Sequence, residues 1–300
     1  MISNLGTRIN IFLQNLENSI FAWLDRLLGF PIEKKKFKKL TGYSLDLKNP
    51  KSFNQKVCWK KIYDRNPLIP IVADKFTVRS YIADMLGKEE AEKILVPLYW
   101  HGEKAKDIPF DDLPDQFVLK CSHGSAMNII VKDKSKFKKE DAIVKLNDWC
   151  IRRYGVRAHE WAYKNANPVV MVEEFLHDGS LGVPFDYKFH MIHGDCKFIQ
   201  VDVGRFDNYY KNLYGKDWQK IDVKWNRDNG PDVEKPECLD EMLSIAEKLA
   251  SPFDYVRVDF FTLSGRIFIG ELTHYPVKGR APFEPQSFDF ELGEQWTLNR

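Results

Sequence analysis

Residues 117–130 read FVLKCSHGSAMNII. An apolar strand, Phe117-Val118-Leu119, ends on a lysine, enters the small polar loop Cys-Ser-His-Gly-Ser and returns to an apolar run. A lysine closing such a strand is ordinarily a solvated edge charge. Followed at once by a glycine-containing loop, it reads equally as a grip on phosphate. The common phosphate loop places its lysine after the last glycine, where a helix opens. Here the order is strand, lysine, loop, strand, and the rest of the chain decides between the two readings.

Outward from this hairpin the texture is mixed. Residues 1 to about 90 read as helices over 8–29, 53–64 and 73–87, the last two separated by Asn66-Pro67 and Ile69-Pro70, because proline and its predecessor resist helix. Short strands follow in ILVPLYW (94–100), FVLKC (117–121) and NIIVKD (128–133), then a helix over 139–154 and a buried strand, PVVMVEEFL (168–176). DYKFHMIHGDCKFIQVDV (186–203) splits into two strands about His193-Gly194-Asp195, a hairpin signal. CLDEMLSIAEKLA (238–250) carries a helical apolar stripe. YVRVDFFTL and RIFIGEL close the pattern around Ser264-Gly265. Antiparallel hairpins without regular βαβ repeats indicate an α+β chain and argue against a doubly wound nucleotide fold.

Composition narrows the classes. Three hundred residues with 44% apolar content and 8 Trp, 12 Tyr and 21 Phe describe a globular chain with ample core. Forty-five basic against 43 acidic residues leave +2, too balanced for nucleic acid to be the default partner. The five cysteines, at 58, 121, 150, 196 and 238, form no CxxC pair. They fit reduced thiols and a cytoplasmic setting better than a disulfide framework or a zinc site. The opening MISNLGTRIN lacks the pattern of a secretory leader. Segment 9–30 is too interrupted by Glu17, Asp25 and Arg26 to span a bilayer, yet its apolar residues keep helical spacing and KKKFKK (34–39) follows. Two readings stand for residues 8–39: an amphipathic helix lying on the inner, anionic membrane face, or a helix docked on its own domain beside a solvated lysine turn.

Chemistry-bearing residues recur at the strand ends. Asp259 and Glu271 stand in apolar strands, where an unpaired carboxylate is costly. A three-residue Ser264-Gly265-Arg266 loop would set them directly across from each other, their β-carbons roughly 4.5–5.5 Å apart. Hard carboxylate oxygens that close suit Mg²⁺ with a substrate phosphate. Pairing with Arg257 or Arg266 is the alternative, and a two-residue turn would put the carboxylates on opposite faces. Lys75, Lys120 and Lys188 are each unremarkable as surface charges; together with such a pair they would neutralise a triphosphate. Glu173 and Glu174, at a strand end, offer a carboxylate and backbone groups to an adenine edge, or simply a solvated terminus.

The order lysine, strand-lysine-small loop, [VI]-E-x-x-L, D-x-[KR], R-x-D, E-x-[NT] resembles the ATP-grasp superfamily. The wording is most similar to its TupA-like branch, named for teichuronopeptide synthesis. The carrying phrases are NPKSFNQKVCWKKIYDRNPLIPIVADKFTVR (49–79), FVLKCSHGSAMNIIV (117–131), VVMVEEFL (169–176), FDYKFHMIHG (185–194) and YVRVDFFTLSGRIFIGELTHYP (255–276).

The resemblance implies an ATP-grasp fold, two antiparallel-sheet lobes holding ATP between them. It divides the chain into a helical segment (1–65), a small lid lobe with its flanking helix (66–180) and a large lobe with the metal site (181–300). By the same resemblance Lys75 and Lys120 contact the α- and β-phosphates under a lid formed by Ser122, Gly124 and Ser125. Glu173, Glu174 and Leu176 read adenine, and Asp186 sits near the ribose. Lys188 and Arg205 face the γ-phosphate, Asp259, Glu271 and Thr273 bind Mg²⁺, and Arg257 steadies the acyl phosphate. His123 is a candidate proton-transfer group. Where relatives carry glycine and asparagine this chain has Ala126 and Thr273, and HYPVKG brings His274 and Lys278 to the expected acceptor side.

The implied reaction joins a carboxylate to an amine through an acyl phosphate, releasing ADP and phosphate. The branch points to a uronic acid or its sugar nucleotide, amidated in surface polysaccharide or capsule biosynthesis. Three rivals remain at this stage. A glycosyltransferase would ordinarily carry an Asp-x-Asp triplet, and none occurs. A non-catalytic ATP-binding scaffold predicts lost lysines and carboxylates, and a kinase would stop at phosphorylation.

Overall fold

A computed structural model describes residues 2–177, 186–204 and 208–299. Helices α1 (Ile2–Leu27), α2 (Pro31–Thr41), α3 (Phe53–Tyr63), α4 (Leu68–Ala73), α5 (Thr77–Leu86) and α6 (Lys88–Ile94) lead into the first sheet. That sheet has four antiparallel strands in the order β1 (Leu98–Gly102), β4 (Val170–Glu174), β2 (Phe117–Cys121), β3 (Asn128–Val131), with α7 (Lys139–Cys150) inserted between β3 and β4. The second sheet has six strands. Their order is β11 (Arg266–Thr273), β10 (Tyr255–Leu263), β5 (Asp186–Ile192), β6 (Asp195–Val203), β7 (Tyr210–Tyr214), β8 (Lys220–Ile221). Helix α8 (Leu239–Ala250) covers one face of it. A two-stranded ribbon, β9 (Lys224–Trp225) with β12 (Phe283–Glu284), and α9 (Ser287–Glu294) complete the chain. The α+β class and the pair of antiparallel sheets are as the sequence implied.

The large sheet is amphipathic in an unusual way. Tyr187, Phe189, Val256, Val258 and Phe260 point to α8, whose Leu239, Met242, Ala246 and Leu249 are buried against them. The opposite face divides. At one end His190, Phe198, Tyr255 and Trp225 pack around Phe53 of α3. At the other, polar side chains stand in a cross-strand row, Glu271, Asp259, Lys188 and Gln200. The aromatic half supplies the hydrophobic stabilisation; in the polar half Asp259, Lys188 and Gln200 are buried and Glu271 is partly exposed.

Four local expectations are corrected. The 264–266 loop is a two-residue turn, Leu263 pairing with Arg266 across Ser264 (φ 51°) and Gly265 (φ 76°), the left-handed pair that a tight hairpin requires. Such a turn alone would put Asp259 and Glu271 on opposite faces. A bulge at Gly270 absorbs one residue, so that Phe260 faces Ile269 while Asp259 faces Glu271. The helix expected over 73–87 breaks at Asp74-Lys75-Phe76, because the Asp74 carboxylate accepts the N–H groups of Phe76 and Thr77 and starts α5 afresh. KKKFKK is no solvated turn but the body of α2, anchored by the fully buried Phe37. The strand foreseen from residue 94 begins at Leu98, since residues 88–94 form α6.

Helix α1 docks through its polar edge. Asn15 donates to the Ile151 carbonyl and accepts from the Arg153 N–H, and buried Asp25 pairs with His159 at 2.8 Å. Opposite that edge, Ile9, Phe12, Leu13, Leu16, Ile20, Trp23, Leu24 and Leu27 form one stripe at helical spacing and are exposed, Phe12 by 66% and Trp23 by 61%. No described helix is long and apolar enough to cross a membrane.

The segment from α2 to α3 is clamped to the C-terminal part by buried charges. Glu33 receives Lys61 at 2.6 Å and both guanidinium branches of Arg280. Lys60 lies between Asp64 and Asp254. Lys61 also donates to the carbonyl of Lys278. The five cysteines are unpaired.

Candidate active site

A cavity of about 240 Å³ opens between the two sheets. Lys75, Gly124 and Ser125 approach it from the small-sheet side, and Arg257, Glu271 and Thr273 from the large sheet. The short break before α5 puts Lys75 here. Its backbone N–H bonds to the Ser122 carbonyl at 3.0 Å and its ammonium to the Gly124 carbonyl. The Ser122 hydroxyl, wholly buried, donates to Asp74 at 2.6 Å and accepts from the Val169 N–H. The loop and the start of α5 are therefore one unit.

On the large sheet the charges are closely meshed. Arg257 grips Asp259 with two bonds of 2.6 Å, and the same Nη2 reaches Glu271 Oε1 at 2.9 Å and Thr273 Oγ1 at 3.2 Å. Three oxygens from three residues thus converge on one nitrogen. Burial would push Glu271 up, but Arg257 and Lys75 outweigh it and hold the carboxyl below its usual range. Burial lowers the Lys75 ammonium, and the facing Glu271 pulls it back up. Lys75 and Glu271 sense each other across the cavity, one from each sheet.

The family model for TupA-like ATP-grasp proteins matches residues 55–297. The chain belongs to the TupA-like ATP-grasp family. No curated protein matches. Among solved structures, a D-alanine–D-alanine ligase from Bacillus anthracis complexed with ATP shares 16% identity over 68% of this chain and 54% of its own, with a TM-score of 0.39. The D-alanine–D-alanine ligase from Helicobacter pylori shares 15% over 82% and 68%, with a TM-score of 0.43. N5-carboxyaminoimidazole ribonucleotide synthetase from Thermus thermophilus shares 10% over 71% and 48%, with a TM-score of 0.40. The chain spans about half the length of the first of these.

Within this ATP-grasp protein the other residues singled out from the sequence fall into two neighbouring clusters. Lys120 bonds Glu173 at 2.5 Å, and Arg79 approaches the same carboxylate at 3.5 Å. Lys188 bridges Asp186 at 2.6 Å and Asp202 at 2.8 Å. Burial would raise Asp202, yet Lys188, Gln200 and Lys211 keep it low. Glu174 ends β4 with its N–H on the Pro97 carbonyl, and Leu176 follows half-buried beyond the strand. Arg205 lies outside the described residues. His123 is buried with one ring nitrogen on the Arg152 carbonyl at 3.0 Å, and it does not line the cavity. His274 is likewise core: its Nδ1 meets the Tyr255 carbonyl and its ring packs on Phe253. Lys278 does line the cavity.

Several lining residues were not anticipated. Tyr154, Glu160 and Tyr163 come from the irregular stretch before β4. Glu160 is 6% exposed, and its Oε2 has no hydrogen-bond partner. Burial pushes its carboxyl up, against Lys278, Lys61 and Arg280. Gly155 makes room for it: a β-carbon there would fall 2.9 Å from Glu160 Cβ and 3.1 Å from Oε2. Arg79 had one signal, its place four residues after Lys75 on a helical face. Asp202 had another, its alternation with Gln200 along β6.

Among the described residues no group of three or more His, Cys, Asp and Glu side chains gathers to hold an ion. The oxygens of Asp259, Glu271 and Thr273 are hard donors of the kind Mg²⁺ takes, and all three face Arg257 Nη2.

Proposed function

We propose that this chain is an ATP-dependent carboxylate–amine ligase. One observation carries the reading: a single cavity sets Lys75, Gly124 and Ser125, from the small-sheet side, against Arg257, Glu271 and Thr273 of the large sheet. Lys120, Lys188 and Arg257 are each held by a carboxylate, and the Lys75 ammonium by the Gly124 carbonyl. Lys75 and Lys120 would take the α- and β-phosphates under Ser122, Gly124 and Ser125. Lys188 and Arg205 would face the γ-phosphate. Glu173, Glu174 and Leu176 would read adenine, with Asp186 beside the ribose. Asp259, Glu271 and Thr273 would hold Mg²⁺, which when bound neutralises phosphate charge.

In the first step a carboxylate oxygen of the substrate attacks the γ-phosphorus of ATP, and ADP leaves with the bonding pair. In the second, the amine nitrogen attacks the acyl carbonyl carbon and phosphate departs. The protein's share is positioning and charge neutralisation. Arg257 steadies the acyl phosphate. Glu160, buried and with its Oε2 unpartnered, receives the ammonium form of the amine and takes one of its protons before attack. The family resemblance supports a uronic acid or its sugar nucleotide as the acid component, in surface polysaccharide assembly. Mg²⁺-dependent ADP release across a matrix of uronic acids and amines tests this. Release that needs both partners and is lost in Glu271→Gln supports the ligase, release with the acid alone makes it a kinase, and absent ATP binding by calorimetry ends the reading.

We also propose a peripheral position on the inner membrane face. The support is α1, whose apolar stripe faces away from the protein while its polar edge is docked, and α2, whose Lys34, Lys35, Lys38 and Lys39 are exposed beside it. Apolar residues enter the acyl boundary and lysines meet anionic headgroups. The chain should sediment with phosphatidylglycerol-containing vesicles, and Leu16→Glu with Trp23→Glu should reduce the bound fraction at least tenfold. A wild type left in the supernatant refutes it.

A further inference from the structure

A second cavity, of about 420 Å³, is lined by Ser125 and Met127 on one side and by α1 residues on another. Six cations line it: Lys36, Arg152, Arg153, Arg157, Lys278 and Arg280. No aspartate or glutamate does. Asn15 and Asn18, from the polar edge of α1, complete one wall. Ser125, Tyr154 and Lys278 line both cavities, so the groove adjoins the chamber that holds Glu160 and Glu271.

The charge is concentrated there rather than merely present. Arg280 is satisfied by Glu33 behind the wall. Arg157 has only a loose 3.8 Å approach to an exposed Glu17, and it shares the Phe21 ring with Lys36. Burial and then the neighbouring Arg280 and Arg157 push the Lys36 ammonium down, the sign of like charges crowding. Crowded cations that Glu33 and Glu17 only partly balance repel one another, a cost that a bound anion offsets. Arginine is the residue suited to planar, paired contact with phosphate oxygens. The volume lies in the range of small-molecule sites and exceeds what a lone carboxylate needs.

We infer that this groove binds a diphosphate carried by the carboxylate substrate, whose carboxyl end reaches past Ser125 and Tyr154 into the catalytic chamber. The inference rests on the ligase reading for its second half only. The diphosphate could belong to a sugar nucleotide or to a lipid-linked sugar, and the chemistry recognised is the same.

The test uses the full chain and two probes, uridine diphosphate glucuronate in solution and a polyprenyl diphosphate in mixed micelles, with free glucuronate as the reference. Binding is measured by calorimetry or fluorescence, with and without Mg²⁺ and the non-hydrolysable ATP analogue AMPPNP. In the wild type at least one diphosphate probe should bind ten times or more tighter than glucuronate, even with AMPPNP bound. Arg153→Gln with Arg157→Gln should weaken that probe at least tenfold, leave the AMPPNP affinity within twofold, and steepen no salt dependence. The corresponding lysine variants should recover part of the loss. Whichever probe responds names the source. Equal binding of all three acids, or unchanged probe binding in the glutamine variants, overturns the groove. Loss of AMPPNP binding in the wild type would instead sink the ligase reading, and the probe affinities measured without nucleotide would still judge the groove.

Discussion

Two buried charge clusters of this protein use the same chemistry to different ends. In the clamp, Glu33 meets Lys61 and Arg280, and Lys61 gives a second donor to the Lys278 carbonyl. In the site, Arg257 meets Asp259, Glu271 and Thr273, but the group faces a cavity and the opposite sheet's Lys75. The clamp's lysines are sealed: Lys60 and Lys61 are essentially without solvent contact, and only Arg280 reaches the wall of the second cavity. The site is saturated only until a ligand arrives. A buried ion cluster is thus structural or functional according to what its open side faces, not according to which residues compose it.

That contrast can be broken at its strongest point first. Glu33→Gln leaves Lys61 and Arg280 buried without a countercharge, and it should cost about 3–5 kcal/mol in urea unfolding. A loss under about 1 kcal/mol would mean that the clamp is not structural. The same group predicts an acid limb. Burial alone would raise Glu33, but Lys61 and Arg280 bring it down to about 2 from 4.5. A depressed folded value means stability present above the unfolded pKa and lost as pH falls. About 3 kcal/mol should therefore disappear between roughly pH 4.5 and 2, and this limb should be missing in Glu33→Gln.

The site should answer in activity and not in stability. Glu271→Gln is expected to lower ligation at least a hundredfold, about 3 kcal/mol of transition-state stabilisation, with the urea midpoint nearly unmoved. An equal loss of fold would erase the distinction between the clusters. Glu160→Gln sharpens it further. The kcat/KM for the amine should fall about thirtyfold, roughly 2 kcal/mol, while hydroxylamine still traps the acyl phosphate as hydroxamate at near wild-type rate. A parallel fall in hydroxamate would move Glu160 out of the amine's path.

The smallest effect concerns the loop between the clusters. Ala126 holds φ 59° where a glycine would be unstrained. Ala126→Gly should stabilise by about 0.5–1 kcal/mol and be visible as a small rise in melting temperature. A fall would show that the loop gains more from alanine's lower chain entropy than it loses to strain.

Much of this was legible before any coordinates. Most strands of the two sheets, though not β7 or β8, and the Asp259–Glu271 pair could be read from alternation and strand ends, because burial on one face writes itself into the sequence every second residue. The register could not. Whether Asp259 faces Glu271 depends on a bulge at Gly270, and a glycine in a strand announces irregularity without saying which way the ladder shifts. Helix α2 was obscured because lysines dominate it and only one apolar residue, Phe37, is buried from it. Glu160 and Tyr163 sit in a stretch with no period, placed by Asp25 reaching from α1 to His159. His274 and His123 resembled site residues by position, but their rings serve backbone carbonyls.

The clamp also has a consequence in time. Its partners are residues 33, 61 and 280, and the same end of the chain supplies Asp289 to the N–H of Asn54 and the hydroxyl of Tyr43. A ribosome adding roughly 5–20 residues per second needs about ten to forty seconds to travel from Lys61 to Arg280. Throughout that interval the nascent α2 and α3 carry lysines whose burial is not yet possible. Helices α2 and α3, made early, are therefore among the last to be secured, and a nascent chain released before residue 280 would present them to chaperones unclasped.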